Sequence, residues 1–185
     1  MALQSTAAPA PLESIWQLLE QVPDPEIPVV SIRELGILRD VRWAAAGTVE
    51  VVITPTYSGC PAMGQIEDDV AAALAGAHIT ARVVTQLAPA WTTDWMSEAA
   101  KTKLRNYGIA PPQCSATAAH IETPNLIANY SAFSWASGIN SIKNVPCPRC
   151  NSSNTTETSH FASTACKALY KCLDCLEPFD YFKPY

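Results

Sequence analysis

Seven cysteines give this chain most of its capacity for chemistry, and five of them lie between residues 147 and 175. Each C-x2-C pair can form a tight knuckle that presents two thiolates to one ion, and two facing knuckles complete a tetrahedral site. The spacing therefore predicts one closed four-thiolate metal site rather than two disulfides. The pattern is C-x2-C-x21-C-x2-C through Cys147, Cys150, Cys172 and Cys175.

The ion that this site favours is zinc, although four thiolates also hold a single iron or an iron–sulfur cluster. Because a closed four-thiolate site has no open position for water or substrate, the ion would be structural. Residues 146–185 are too few to be stable through apolar burial alone, and the ion would supply the missing folding energy. We expect a zinc ribbon in which Asn151, after the first knuckle, adopts a positive φ, with Leu176 a weaker fit at the matching position.

Cys166 stands six residues before Cys172, outside the paired spacing. One interpretation makes it a small buried side chain within the ribbon hairpin, and the other makes it a shared or replaceable metal ligand. The sequence leaves both open. His160 is an alternative ligand, but four cysteines already complete the site, so we expect this histidine on the surface or within the hairpin.

A second candidate site is the stretch TPTYSGCPAM, in which Cys60 stands where a helix is predicted to begin. Free N–H groups at a helix start stabilise a thiolate, and the following Pro61 is pre-organised for the first turn. Cys60 is therefore either a reactive or metal-binding thiol or a buried cysteine that closes a turn. Upstream, Asp24 and Glu26 in DPEIP are either turn residues or acids that face this thiol.

Other chemistries find little support in the sequence. The chain has no Ser/His/acid set and no glycine-rich phosphate loop, its three histidines give thin support for acid–base catalysis, and Cys114 has no partner pattern. The net charge is -5, with seven basic against twelve acidic residues in positions 1–108 and four of each in 147–185. Neither segment offers the basic stripe that nucleic-acid binding needs, whereas an acidic first half suits a protein partner with a positive face.

The sequence also predicts where the protein works. No window approaches the roughly 18 uninterrupted apolar residues of a membrane span. The start MALQSTAAPAPLE lacks the basic and apolar regions of a secretory signal. We therefore expect a cytoplasmic protein without membrane contact, in whose reducing compartment the paired cysteines bind metal.

Hydrophobic periodicity predicts the elements that hold these residues: an α+β domain over residues 10–112, with a small sheet covered by helices. Residues 12–22 have the apolar spacing of a helix, which three prolines then end. Alternation in TVEVVITPT predicts a half-buried strand. The remaining predicted elements are a strand towards residue 43, a helix over 64–75, a strand within 78–87, and a closing helix with Thr93 or Asp94 as N-cap and Gly108 at its end.

Residues 113–145 differ in character, because they are low in charge yet not apolar enough for a core. We interpret them as a linker with a docking segment around Phe133 and Trp135. The zinc-ribbon domain, residues 146–185, follows.

Four stretches of the chain resemble known proteins. DPEIPVVSIRELGILRDV, TPTYSGCPAM and APAWTTDWMSEAAKTKLRNYGIAPP resemble the iron–sulfur assembly proteins related to SufT and the cytosolic Fe–S targeting factors. STACKALYKCLDCLEPFDYFKPY resembles the PaaD accessory proteins of the phenylacetyl-CoA 1,2-epoxidase of aerobic phenylacetate degradation. The resemblance covers residues 12–112 and 146–185 and includes no part of 113–145.

The resemblance implies an Fe–S assembly domain fused to a zinc ribbon, with a non-catalytic role in maturing the epoxidase complex or delivering an iron–sulfur or iron centre to it. The family's functional cysteine falls on Cys60, its acidic motif on Asp24 and Glu26, and the strand before the cysteine on Thr54 and Thr56. Cys60 would give one thiolate to a transient Fe–S cluster. The client, or a second copy of the chain in a homodimer, would complete the ligands.

The client that the resemblance implies is the reductase subunit, which carries a plant-type [2Fe–2S] cluster, with the di-iron oxygenase subunit as a second candidate. Two rival functions stay open at this point. One is an electron-transfer subunit with redox iron at the four cysteines. The other is a structural adaptor that bridges oxygenase subunits without touching a cluster.

Overall fold

The computed structural model of the protein describes residues 11–44, 47–113 and 145–185. In its first part the elements are α1 Leu12–Leu19, β1 Leu38–Trp43, β2 Val49–Ile53, α2 Met63–Gly76, β3 Ala81–Thr85, α3 Glu98–Tyr107 and β4 Ile109–Ala110. In its last part they are β5 Thr155–Ser159, β6 Lys167–Cys172 and β7 Pro178–Phe182. This order confirms the predicted α+β class, with a small sheet and helices followed by a ribbon of strands.

Strand β2 is the centre of the first sheet, paired antiparallel with β1 and parallel with β3. All five of its residues are buried, so the prediction of a half-buried strand was wrong. The physical reason is Glu50, a charged residue on the face that alternation assigns to solvent. Arg42 and Arg82, on the two neighbouring strands, form ion pairs with its carboxylate and cover it. Hydrogen bonding to Arg42 holds the pKa of Glu50 below its usual range, so the buried group stays charged.

Helix α1 ends at Leu19, three residues before its predicted end at residue 22. The N–H of Val22 bonds the carbonyl of Leu19, so the chain has already turned there. Pro23 excludes Val22 from the helix, because the residue before a proline is pushed out of helical conformation, and the N–H of Gln21 already bonds the carbonyl three residues back. The apolar face of α1 is nevertheless the predicted one, with Ile15 fully buried.

Helix α3 begins at Glu98 and not at the predicted cap. Ser97 is its N-cap, and its hydroxyl accepts the N–H of Ala100 at 3.0 Å. Thr93 and Asp94 instead lie in a separate 3₁₀ turn, which precedes the helix and is capped by Thr92. The stretch contains two hydroxyl caps in succession, and periodicity alone does not say which of them begins the longer helix. Gly108 ends α3 with φ 99°, as predicted.

The ribbon sheet includes a strand from the first part of the chain. Strand β6 pairs antiparallel with β5 and β7, and β4 adds to the outer edge of β7 in parallel. The register places Ile109 opposite Asp180 and Ala110 opposite Tyr181. The two predicted units are therefore joined by backbone hydrogen bonds.

Aromatic side chains of the C-terminus also join the two parts. Phe182, at the end of β7, is 1% exposed and belongs to the buried core of the first part, with its ring 6.0 Å from that of Trp91. The ring of Tyr185 lies 6.3 Å from the same tryptophan. The other two aromatic residues of β7 pack on Tyr170 inside the ribbon. One face of β7 thus fills the ribbon core while its last residue fills the core of its neighbour.

The predicted linker, with its docking segment around Phe133 and Trp135, lies outside the described residues except for its two ends at 113 and 145. Cys114 lies outside them too, and the domain boundaries 10–112 and 146–185 stay predictions. In the described ranges, no helix combines the length and apolar character of a membrane span.

Candidate functional site

The four cysteines predicted to bind one ion meet at a single point of the ribbon, with all their sulfur atoms within 4.8 Å of one another. The sulfurs of Cys147 and Cys175 are 3.7 Å apart, and those of Cys150 and Cys172 are 3.6 Å apart. Tetrahedral zinc with bonds of about 2.3 Å places its thiolate ligands about 3.8 Å from one another. The donor set and its spacing therefore fit one tetrahedral metal ion.

Two residues of positive φ shape the knuckles. Asn151 has φ 60° and Leu176 has φ 65°, and each directly follows the second cysteine of a pair. The conformation of Asn151 is the one that the sequence predicts. Leu176 adopts the same conformation although it suits a leucine poorly, and its side chain is 63% exposed, so no neighbour crowds it. Both knuckles therefore present their sulfurs in the same way.

Asp174 ties the two knuckles together, and sequence reasoning did not single it out as a site residue. Its carboxylate accepts hydrogen bonds from the hydroxyl of Ser152 and from the side-chain amide of Asn154, the latter at 2.7 Å. These bonds, the one from Ser152 first, hold the pKa of Asp174 below its usual range. The partners are about twenty positions apart in the chain, and no spacing rule links them.

The backbone of the second knuckle favours a thiolate at Cys172, whereas burial and the neighbouring thiols raise the pKa of Cys175 to about 12. The N–H of Cys175 points at the sulfur of Cys172 at 3.5 Å and lowers the pKa of Cys172 to about 7. A metal binds the deprotonated thiol, so this N–H prepares the site for an ion. His160 lies elsewhere, exposed at the far end of the hairpin beside Glu157.

At the second candidate site, Asp24 is both a turn residue and a neighbour of the thiol. Its Oδ1 accepts the N–H groups of Glu26 at 3.0 Å and Ile27 at 2.8 Å, which fixes the DPEIP loop. Burial nevertheless raises the pKa of Asp24 above its usual value, because the two backbone bonds do not fully offset the lost hydration. The buried side chain of Ile27 anchors the same loop in the core.

Glu26 projects from that loop towards the ribbon. Its Oε2 lies 4.0 Å from the sulfur of Cys166. Burial raises the pKa of Glu26, and the negative charge of Asp24 raises it further. The DPEIP acids are therefore at the boundary between the two parts of the chain.

Cys60 lies half-buried in the loop that leads into α2. The N–H groups of Ala62 and Met63 hydrogen-bond its sulfur, as expected of a helix start. Burial is the larger effect, however, and together with the charges of Glu26 and Asp24 it raises the pKa of Cys60. Burial and the two acids together therefore outweigh the helix N–H groups at this thiol.

Cys166 lies away from the four-cysteine cluster, at the seam between the ribbon and the first part of the chain. It is 4% exposed, belongs to the core of the first part, and its sulfur is 3.0 Å from Oγ1 of Thr164. Burial raises the pKa of Cys166 to about 11, with the charges of Glu26 and Cys60 adding to it. Cys166 is thus a small buried side chain in the connection between β5 and β6, as one interpretation had it, but the core that buries it is that of the first part of the chain.

Thr54 and Thr56 lie on the chain between β2 and Cys60 and are both buried. The backbone N–H of Thr54 bonds the carbonyl of Ile37 at 2.9 Å, while its hydroxyl has no hydrogen-bond partner among the described residues. Thr56 lines a pocket of about 220 Å³ with Tyr57 and Tyr185. The two threonines therefore anchor the segment that leads from β2 to Cys60.

Two family models match the chain. Residues 12–85 match the iron–sulfur cluster assembly protein family, and residues 136–183 match the PaaD zinc beta ribbon domain. Together with the two sites, these matches define the class: an Fe–S assembly domain joined to a four-cysteine ribbon. A relative from Escherichia coli, which bears the name of a "Putative 1,2-phenylacetyl-CoA epoxidase" subunit, is 46% identical over 180 residues, which cover 97% of this chain and 96% of the relative. The chain belongs to the PaaD family.

Shorter relatives match the first part alone. The "Fe-S protein maturation auxiliary factor YitW" of Bacillus subtilis is 38% identical over 94 residues, which cover 50% of this chain and 91% of the relative. A crystal structure, "Domain of Unknown Function DUF59" from Bacillus anthracis, is 33% identical, covers 50% of this chain and 89% of that one, and has a TM-score of 0.46. The YitW match thus covers nearly the whole of that relative but only half of this chain.

Proposed function

We propose that this protein is a non-catalytic accessory subunit of a phenylacetyl-CoA 1,2-epoxidase, and that it matures an iron–sulfur or iron centre of that complex. The support is the 46% identity to an epoxidase subunit over nearly the full length of both chains. The assembly-protein domain over residues 12–85 supports maturation rather than epoxidation as its role.

The observation that carries this proposal is the setting of Cys60. Its thiol is half-buried, forms no disulfide, and shares its surroundings with the acids Asp24 and Glu26. Such a set offers a metal a few ligands without enclosing it, as a site that must release its cargo requires. In this proposal the iron or cluster is cargo that the protein binds transiently, and Cys60 supplies one thiolate to it.

The four-cysteine site has a different role in this proposal. Zinc fits its closed tetrahedral set, and a closed site leaves no position for a cargo to enter or leave. When bound, zinc would be held by Cys147, Cys150, Cys172 and Cys175 and would stabilise the ribbon fold. The reductase subunit is the first client that we propose, and the di-iron oxygenase subunit is the second.

The experiment uses a strain whose own copy of the gene is deleted and replaced by a variant, followed by purification of the epoxidase subunits. We expect Cys60→Ser to leave the protein folded and to lower the iron content of a client to the level of the deletion strain. Ser58→Ala, two residues away on the exposed loop, is the matched control and should restore the iron. Full iron content and epoxidation with Cys60→Ser would contradict the proposal and favour a structural adaptor.

A further inference from the structure

A second free thiol faces the Cys60 loop from the ribbon. Cys166 immediately precedes β6, and its carbonyl accepts the N–H of Lys183 at 2.9 Å, so the last strand of the ribbon fixes its backbone. Its side chain turns out of the ribbon sheet and into the core that the first part forms. The residue therefore belongs to one part of the chain by its backbone and to the other by its side chain.

We propose that Cys166 and Glu26 complete, with Cys60, a second metal site at the seam between the assembly domain and the ribbon, and that this site takes a thiophilic divalent transition metal. The inference rests on the proposed function only for the identity of the ion in the cell, which would then be ferrous iron. Two thiolates and one carboxylate form a donor set that ferrous iron and its analogue Co²⁺ both accept.

The separation of Glu26 and Cys166 suits a shared ion. A thiolate bonded at about 2.3 Å and a carboxylate oxygen at about 2.1 Å on one tetrahedral ion lie about 3.6 Å apart. The observed distance between Oε2 of Glu26 and the sulfur of Cys166 is 4.0 Å. Only a small side-chain adjustment separates the two groups from a binding geometry.

Cys60 has further to move than Glu26. Among the described residues, the ribbon cysteines form the only group of three or more ligand atoms within 4.8 Å of one another. The thiol of Cys60 must therefore turn towards Cys166 when an ion binds. Cys60 is half-buried on a loop, and a site that is completed by such a movement is also one that can open again.

The charges around the seam favour a cation. Burial is the first cause that raises the pKa of both thiols. The charges of Glu26 and Asp24 add to it at Cys60, and those of Glu26 and Cys60 add to it at Cys166. The titratable side chains that face the proposed site are Asp24, Glu26, Tyr57, Cys60, Cys166, Tyr185, Lys167 and Lys183. Lys167 pairs with Asp180 at 2.9 Å and Lys183 donates to the carbonyl of His160 at 3.2 Å, and the charges of both lysines partly offset those of the acids. A bound divalent ion would offset two of the three negative charges of the thiolates and the carboxylate.

A groove gives an ion access to the seam. It has a volume of about 430 Å³ and opens between the two parts of the chain, with Glu26 on one wall and Lys167 on the other. Glu26 therefore reaches both the solvent-filled groove and the buried sulfur of Cys166.

The test is an anaerobic Co²⁺ titration of the full-length protein after one equivalent of zinc has filled the ribbon site. We expect wild-type protein to bind one further Co²⁺ with thiolate charge-transfer absorption while the zinc is retained. Cys166→Ser, Cys60→Ser and Glu26→Gln should each bind it at least about tenfold more weakly, since even second-shell changes commonly cost 10- to 100-fold. Cys114→Ser is the matched control and should titrate as wild type does.

X-ray absorption at the cobalt edge counts the sulfur ligands in the wild-type protein. This measurement needs no substitution, so it tests the site even if a variant fails to fold. Two sulfurs on the added cobalt support the site. Fewer than two, no second cobalt, or a Cys166→Ser titration equal to wild type would overturn it. In those cases the proposed function is still supported if Cys60→Ser lowers client iron, so the two failures are distinguishable.

Discussion

The carboxylate of Asp24 shows how one side chain can fix a loop and weaken the fold at the same time. Its two bonds to backbone N–H groups hold the DPEIP loop in place. Its burial beside Glu26 and near Cys60 raises its pKa, so at neutral pH the folded state contains a charge that water would stabilise better. A cation bound beside the loop would offset this loss of stability, because it would stabilise the buried carboxylate.

Asp24→Asn should raise the free energy of unfolding of the metal-free protein at neutral pH. The asparagine Oδ1 can accept the same backbone bonds, and the buried charge is gone. A raised folded-state pKa contributes stability below the ordinary value of 3.8 and loses it as the pH rises through the raised value. As the pH rises from 3.8 through the raised pKa of Asp24, the free energy of unfolding should therefore fall less for the variant than for wild type. Urea unfolding at a series of pH values measures this difference.

Asp68→Asn, on the exposed face of α2, is the matched control and should follow the wild-type pH dependence closely. A lower stability of Asp24→Asn at neutral pH would show that the charged form of Asp24 is needed for the loop.

Individual site residues differ in how far the sequence could predict them. The paired cysteines and Asn151 follow from local spacing, and the geometry fits it. The position of Cys166 could not follow, because its neighbour Glu26 is 140 positions away and nothing local specifies the contact. Asp174 was missed for the same reason.

Among the elements, the short strand β4 matters more to the fold than its two residues suggest. It consists of two residues after the glycine that ends α3, which is too short for any periodicity to reveal. Its parallel pairing with β7 nevertheless links the assembly domain to the ribbon. The longer elements α2 and β2 follow from their patterns, whereas the burial of β2 depends on arginines from neighbouring strands.

Removal of the ribbon metal should therefore affect more than the ribbon. Structural zinc contributes apparent binding energies of about 10–16 kcal/mol in small metal-dependent peptides, which matches or exceeds the whole stability of about 5–15 kcal/mol of a typical domain. We expect chelation, or Cys172→Ser, to unfold β5–β7 and to lower the Tm of the assembly domain, because Phe182 leaves its core. Hydrogen exchange resolved by segment measures both effects.

Cys114→Ser retains all four metal ligands and serves as the control for this experiment. Protected amides in β5–β7 after complete metal removal would contradict a structural role for the ion. Intact ribbon exchange with bound iron in place of zinc would instead favour the electron-transfer alternative.

At the level of the complete chain, the two predicted units are one structure in the described residues. They share the ribbon sheet through β4, a core through Phe182, and a group of titratable side chains through Glu26 and Cys166. The sequence predicted the two parts but not this union. Contacts between residues about 90 positions apart, such as Thr93 with Tyr185, depend on tertiary packing that composition and local pattern do not encode.

This union gives the ribbon a part in the proposed chemistry. The shorter relatives are matched over only about half of this chain. In this chain the ribbon carries the thiol of Cys166 to the core of the first part, and the proposed ribbon metal would keep it there. The four-cysteine site would then serve the seam indirectly, by keeping β6 and β7 folded.

Iron transfer between purified proteins tests whether this protein matures its complex. The protein is loaded anaerobically with isotopically labelled iron, mixed with iron-depleted reductase or oxygenase subunit, and separated from it before the label is counted. We predict that the label moves from wild type to a client and that Cys60→Ser transfers no more than free iron does. Equal transfer by wild type and Cys60→Ser would contradict the account.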